Sequence, residues 1–168
     1  LWVDDRLGPG QALLAARRPA DGLAWSGEER VHSIASAAAD SGGVLAGPAL
    51  AEAPDGSLHA LWILRRQQSA EVWHAARLPG ARAWGRPDRV DDGSAADRSD
   101  PALAVDRYGV RHALWTEGRA EADIVHSRSD ETAAWSAPRR VNQPREGSQG
   151  RAVLVAAPDG NLYAAWED

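Results

Sequence analysis

Apolar residues along the chain fall in short runs of strand length, and no run keeps the 3.6-residue period of a helix. In order they are Leu1–Val3, Ala12–Ala16 and a segment reaching Val31; Pro48–Glu52, Leu58–Leu64, Val72–Ala76 and a run ending at Val90; Ala102–Val105, Val110–Thr116, Ile124–Ser127 and a run ending at Val141; then Ala152–Ala156 and Leu162–Trp166. Between them stand turn formers, among them Pro54-Asp55-Gly56 and Pro158-Asp159-Gly160, where Pro presets φ and Gly takes the positive φ that closes a hairpin. In Ser57–Leu64 both sides of the run are apolar: Leu58, Ala60, Trp62 and Leu64 point one way, Leu61 and Ile63 the other. Such a strand expects cover on both faces.

The runs repeat. An apolar residue followed by Trp occurs at Trp2, Trp62, Trp115 and Trp166, in steps of 60, 53 and 51 residues. A second tryptophan follows at Trp25, Trp84 and Trp135, and an Arg-Val pair stands six residues beyond each, ending at Val31, Val90 and Val141. Six residues before the first Trp lies a glycine: Gly56, Gly109 and Gly160. A period near 50 residues with four strands per copy is the mark of propeller blades rather than helical solenoids. The expected fold is therefore all-β, a β-propeller of four-stranded antiparallel blades with about three blades in the chain. Its one domain, residues 1–168, divides into repeats at about 1–47 (partial), 48–100, 101–150 and 151–168 (partial). Residues 32–47, 91–100 and 142–150 are the expected connections. Three blades do not close a ring, so the chain is expected either to be a fragment of a larger propeller or to form half of a six-bladed ring, as a homodimer.

Composition narrows the partners. The net charge is −5 and the basic residues, all arginine, are scattered, so no nucleic-acid footprint appears. No apolar run reaches the ~18–20 residues of a membrane-spanning helix. Cysteine is absent, which removes disulfides and thiolate chemistry. Methionine is absent too, position 1 included, so a processed or trimmed piece is expected, secreted or displayed at a cell surface.

The strand pattern, as in Pro101-Ala102-Leu103-Ala104-Val105-Asp106 and Ser136-Ala137-Pro138-Arg139-Arg140-Val141-Asn142, resembles the bacterial-neuraminidase, sialidase-type repeat propellers. Their third-to-fourth-strand turn is an Asp box, Ser-x-Asp-x-Gly-x-Thr-Trp. Here Asp130 and Trp135 match it, while Arg128, Thr132 and Ala134 stand where Ser, Gly and Thr are usual. The copy ending at Trp84 keeps only its Trp and has Pro79 in place of the Asp; the copy ending at Trp25 has Gly22 at the box position. The resemblance implies that Asp130 and Trp135 staple a turn and serve the fold. It also implies an arginine trio, a tyrosine–glutamate pair and an aspartate where the family is catalytic. The Phe-Arg-Ile-Pro-type segment that carries the first arginine is missing, and the chain has no phenylalanine.

The functional expectation is thus a non-catalytic binding or scaffold module for a glycan or protein, with part of a sialidase-like glycoside hydrolase as the alternative. No catalytic residue, metal ligand or cofactor is assigned. The candidate ligand-binding residues are Trp73, the one tryptophan outside the repeat register, with His74 beside it, and His59, His112 and Tyr163, which share one repeat position. Packing is the competing reading for the histidines, because none are spaced in sequence as metal ligands. Tyr108 reads as a turn residue. Arg18, Arg77 and Arg128, each seven residues before a Trp, are candidates for cation–π stacking. The three connections carry no Trp, Tyr or Phe, which argues against an aromatic sugar platform on loops.

Overall fold

The computed structural model describes residues 1–6, 10–35, 43–130, 134–143 and 147–168. Parts of two expected connections and the centre of the degenerate Asp box, Glu131–Ala133, lie outside the described residues. Among the described residues all regular structure is β, in four antiparallel sheets. The first holds β1 (Trp2–Asp4), β2 (Gly10–Ala15) and β3 (Glu29–Ala35). The second holds β4 (Val44–Glu52), β5 (Leu58–Arg65), β6 (Ala70–Arg77) and β7 (Asp88–Arg89). The third holds β8 (Arg98–Val105), β9 (Arg111–Glu117), β10 (Asp123–Ser129) and β11 (Arg139–Arg140), and the fourth β12 (Gly150–Ala156) and β13 (Leu162–Glu167). Each sheet is a meander in chain order.

The sheets stack face to face in that same order, because each middle sheet is apolar on both sides. Ala60, Trp62, Leu64 and Ala75 pack with Leu13, Ala15 and Val31 of the first sheet. From the opposite face, Leu61, Ile63, Ala70 and Val72 meet Leu103, Ala113, Trp115 and Val125 of the third. Leu114 and Ile124 then meet Ala152, Leu154 and Ala164 of the fourth. The expected two-way division of β5 is the one observed. The tryptophans of β5 and β9 face backward, Trp62 toward the first sheet and Trp115 toward the second, both fully buried. The leading strands β4, β8 and β12 neighbour one another from sheet to sheet.

Several boundaries differ from expectation. β4 begins at Val44 and β8 at Arg98, inside segments that read as connections, because in β4 the small residue Ala46 pairs with Ile63 and Gly47 sits in the bulge that follows, a pattern apolar counting misses. The last strands, β7 and β11, are only two residues long. Outward, the fourth sheet leaves Val153, Val155 and Tyr163 each 59% exposed.

Polar clamps lock successive sheets. Arg98, wholly buried, donates from Nη1 to the Ala70 carbonyl (2.7 Å), from Nε to Glu117 (2.8 Å) and from Nη2 to Asp92 (3.0 Å). Within the second sheet Asp91 accepts the Val72 amide at 2.7 Å, and within the third Asn142 accepts the Ile124 amide at 2.9 Å. Removing the Arg98 guanidinium leaves buried acceptors and carboxylates unpaired, a loss of about 3–5 kcal/mol. Trp115→Ala opens a cavity between the second and third sheets at a similar cost of about 3–5 kcal/mol. Urea unfolding of Arg98→Ala, Trp115→Ala and the exposed control Arg119→Ala is expected to show both large losses and a control within about 0.5 kcal/mol of the parent.

Candidate functional site

The cleft with the densest chemistry lies between the second and third sheets, at the end where β4 turns into β5 and β8 into β9. Its volume is about 460 Å³, and its lining includes Pro54, Asp55, Ser57 and His59 on one wall, Leu78 beside them, and Arg107, Tyr108 and Arg111 on the other. Local structure places each group. Pro54-Asp55-Gly56 makes the expected tight turn, with Gly56 at φ 83° and its amide bonded to the Ala53 carbonyl at 2.9 Å. Asp55 Oδ1 accepts both the backbone N–H and the hydroxyl of Ser57, at 2.8 and 2.7 Å. Strand alternation then puts Ser57 and His59 on one side, facing the third sheet.

Behind this wall a line of hydrogen bonds runs from the β4–β5 turn through β5 and β6 to β7. Ser57 Oγ is 2.9 Å from His59 Nε2, His59 Nδ1 is 3.0 Å from His74 Nε2, and His74 Nδ1 is 2.9 Å from Asp88 Oδ1. The far oxygen of Asp88 accepts the indole N–H of Trp135, at 2.6 Å, from the third sheet. The imidazoles of His59 and His74 are stacked at 5.3 Å, and Trp135 meets His74 edge-on at 5.3 Å.

A second imidazole pair occupies the equivalent place one repeat later. His112 Nδ1 is 3.1 Å from His126 Nε2, and the rings stack at 5.4 Å. Its surroundings differ. The His112 Nε2 reaches Asp106 at 3.4 Å, while the partner opposite His126 is Arg139, where the second sheet has Asp88 opposite His74. The paired histidines therefore belong to the repeat, and the line capped by a carboxylate at each end belongs to the second sheet.

Hydrogen counting gives that line its chemistry. Four contacts join Asp55, Ser57, His59, His74 and Asp88, with the Ser57 hydroxyl and the two imidazoles as the donors between the terminal acids. The terminal acids are ionised acceptors. Asp55 is held below the usual carboxylate range by the Ser57 hydroxyl and amide; Asp88 also lies below it, where burial works against ionisation but the bonds from His74 and Trp135 outweigh it. Burial first, then His74 and the Arg111 guanidinium, push His59 down to about 4. Burial and His112 push His126 down to about 4 as well.

Of the sequence candidates, the structure brings His59 and His74 together. His112 joins a different residue, His126, one sheet away. Trp73 adjoins His74 in sequence but points to the opposite face, into a separate cleft of about 380 Å³ with His32, Arg66 and Arg86. Its indole N–H bonds Glu71 at 3.0 Å. Tyr163 stands on the open face of the fourth sheet. Tyr108, a turn residue as expected, also lines the main cleft. Of the arginine series only Arg77 stacks on its tryptophan among the described residues, 6.0 Å from Trp84; Trp135 receives Arg111, at 5.7 Å. Asp88 and Arg111 escaped the sequence reading because their roles come from cross-strand and cross-sheet neighbours.

The comparisons with known proteins show likeness of fold. No family model and no curated protein matches the chain. Among solved structures, a Hadza microbial sialidase is similar over 70% of this chain and 31% of its own, at 20% identity and a TM-score of 0.58. An endo-arabinase from Bacteroides thetaiotaomicron is similar over 98% of this chain and 68% of its own, at 14% identity and TM-score 0.53. A thermostable family-43 glycoside hydrolase is similar over 94% and 62%, at 11% identity and TM-score 0.53. The chain thus spans under a third of the sialidase and about two thirds of the other two.

The site implies a pH response. His59 and His126 bind protons in the unfolded chain near the ordinary imidazole value of 6.5 but in the folded chain only at about 4. Their contribution to stability is therefore complete above about pH 6.5 and is lost as pH falls toward 4. Urea midpoints followed across that interval are expected to fall steadily, and the fall to be shallower in His59→Gln.

Proposed function

We propose that the chain is a run of consecutive propeller blades from a sialidase-like glycoside hydrolase. One observation carries this reading: four antiparallel meanders, stacked in chain order with β4, β8 and β12 as neighbours, resemble solved sialidase, arabinase and family-43 structures over most of the chain. The alternative, a non-catalytic module that binds a glycan or protein, draws support from the missing family arginine segment. Trp73, His74, His59, His112 and Tyr163 remain proposed ligand contacts; His59 holds the strongest position, being the one that lines the cleft beside Arg107 and Arg111. Turnover of a fluorogenic sialoside or arabinoside is the expected outcome. Saturable sugar binding without turnover would move the reading to the non-catalytic module, and neither result would overturn both.

Association of two chains is proposed as well, supported by the exposed apolar face of the fourth sheet, which on the inner sheets is covered by the next. Light scattering is expected to give a mass near twice 17.9 kDa; a folded monomer would remove the proposal.

A further inference from the structure

The second and third sheets carry the same pair of imidazoles, but the charge around the pair is inverted between them. Register fixes the correspondence. His74 lies opposite Leu61 and Asp88, and His126 opposite Leu114 and Arg139. The Gly85 amide donates to the Ala76 carbonyl and the Ser136 amide to the Arg128 carbonyl, each at 2.8 Å. Ala76, Gly85 and Asp88 of the second sheet are thus answered by Arg128, Ser136 and Arg139 in the third. A methyl, a bare backbone and a carboxylate have given way to two guanidinium groups and a hydroxyl. On the second sheet this place is filled by Trp135, which meets His74 edge-on and gives its indole N–H to Asp88. On the third, Ile124, His126 and Arg128 alternate onto the face turned toward the fourth sheet, and the place is a cleft of about 390 Å³. His126, Arg128, Ser136 and Arg139 line it.

Neither guanidinium of this cleft has a carboxylate partner among the described residues, whereas the adjacent Arg140 pairs with Asp123 at 3.3 Å. Nor does Arg128 stack on Trp135, whose ring receives Arg111. The acids of the same sheet are placed elsewhere. Asp106 is taken up by the amides of Tyr108 and Val110 and by His112, and Asp123 accepts from Asn142 as well as Arg140. Asp130 follows Arg128 by two residues and does not line the cleft. The Ser136 oxygen accepts the Arg128 amide at 3.1 Å, which holds the hydroxyl at the cleft. Burial, then His112 and Arg128, push His126 down to about 4, so at neutral pH it adds no charge of its own.

We infer that this cleft of the third sheet binds a small oxyanion, clasped by Arg128 and Arg139 with the Ser136 hydroxyl as a further donor. Each guanidinium presents donors in a planar fork, the arrangement that matches the oxygens of a phosphate or a carboxylate. The exchange of Asp88 for Arg139 also decides what the cleft does not take. An indole N–H docking on the second sheet finds an acceptor in Asp88, but beside Arg139 it meets another donor. The third sheet therefore does not repeat the indole dock, and the negative charge that Asp88 supplies one repeat earlier comes here from a ligand. A phosphate group and a carboxylate share the required chemistry. No covalent bond changes on binding, and the site does not require the chain to be catalytic.

Calorimetric titration of the full chain with inorganic phosphate, and separately with glucuronate, tests the inference at neutral pH. The expected result is saturable binding of at least one probe with a Kd below about 1 mM. Tighter phosphate binding assigns an inorganic or ester phosphate, and tighter glucuronate binding a carboxylate. Arg128→Ala and Arg139→Asp each write the second sheet's residue into the third, a change the fold already accommodates one repeat away. Arg128→Ala is expected to weaken binding at least about tenfold, and Arg139→Asp to abolish it. Arg119→Ala removes an exposed charge from the same sheet outside the cleft and is expected to bind as the parent does. In NMR spectra the His126 ring signals are expected to move during the titration while those of His59 and His74 stay in place. The inference is overturned if neither probe saturates by about 10 mM. It is overturned equally if either cleft variant binds as the parent does while circular dichroism shows it folded, if Arg119→Ala loses as much affinity as Arg128→Ala, or if the His126 signals do not move.

Discussion

The architecture depends on one demand: a strand that is apolar on both faces has to be covered twice. β5 presents Trp62 and Ala60 to one neighbour and Leu61 and Ile63 to the other, so no single sandwich satisfies it. Stacking sheets in a series does. Because β5 and β9 send Trp62 and Trp115 backward, the second and third sheets each insert their largest side chain into the one before, and the chain order becomes the spatial order. Neighbouring sheets thereby contact neighbouring sequence, which keeps each interface local.

Apolar cover does not fix the distance along the stack; buried polar groups do that. Arg98 reaches back from the start of the third sheet to a carbonyl at the start of β6, and the Asp91 and Asn142 carboxylate and amide close the equivalent corner of two successive sheets. Each such group is buried with its hydrogen bonds made, so a slip of register would strand several of them at once. At the opposite end the seam is looser, and there the cleft opens. Clamp and cleft thus occupy the two ends of one interface.

Much of this was legible in the sequence. The tryptophan spacing, the Pro-Asp-Gly turns and the two-faced pattern of Ser57–Leu64 gave the strands, their grouping and the need for cover on both sides. The brevity of β7 and β11 was not legible, because Pro87 and Pro138 stand beside them in runs that still end in Arg-Val. The site was legible only by halves. His59 and His112 stood out as a repeat position, but their partners are set by strand register: His74 lies opposite Leu61, diagonal to His59, and nothing in the spacing of 15 residues announces it. Asp88, Arg111 and the clamp of Arg98 act across strands and sheets, where a linear pattern carries no signal. Trp73 misled for the converse reason: adjacency to His74 in sequence means opposite faces in a strand.

Trp135 and Trp84 hold equivalent positions, yet only Trp135 finds an acceptor for its indole N–H, in Asp88; that of Trp84 has none among the described residues. The copies are consequently no longer exchangeable parts. A chain of near-identical units can dock its neighbours out of turn while it folds, and such misassembly is the characteristic hazard of repeat proteins. A tryptophan that is satisfied against one particular predecessor gives that junction its own label, so divergence between the copies acts as proofreading for their sequence along the stack.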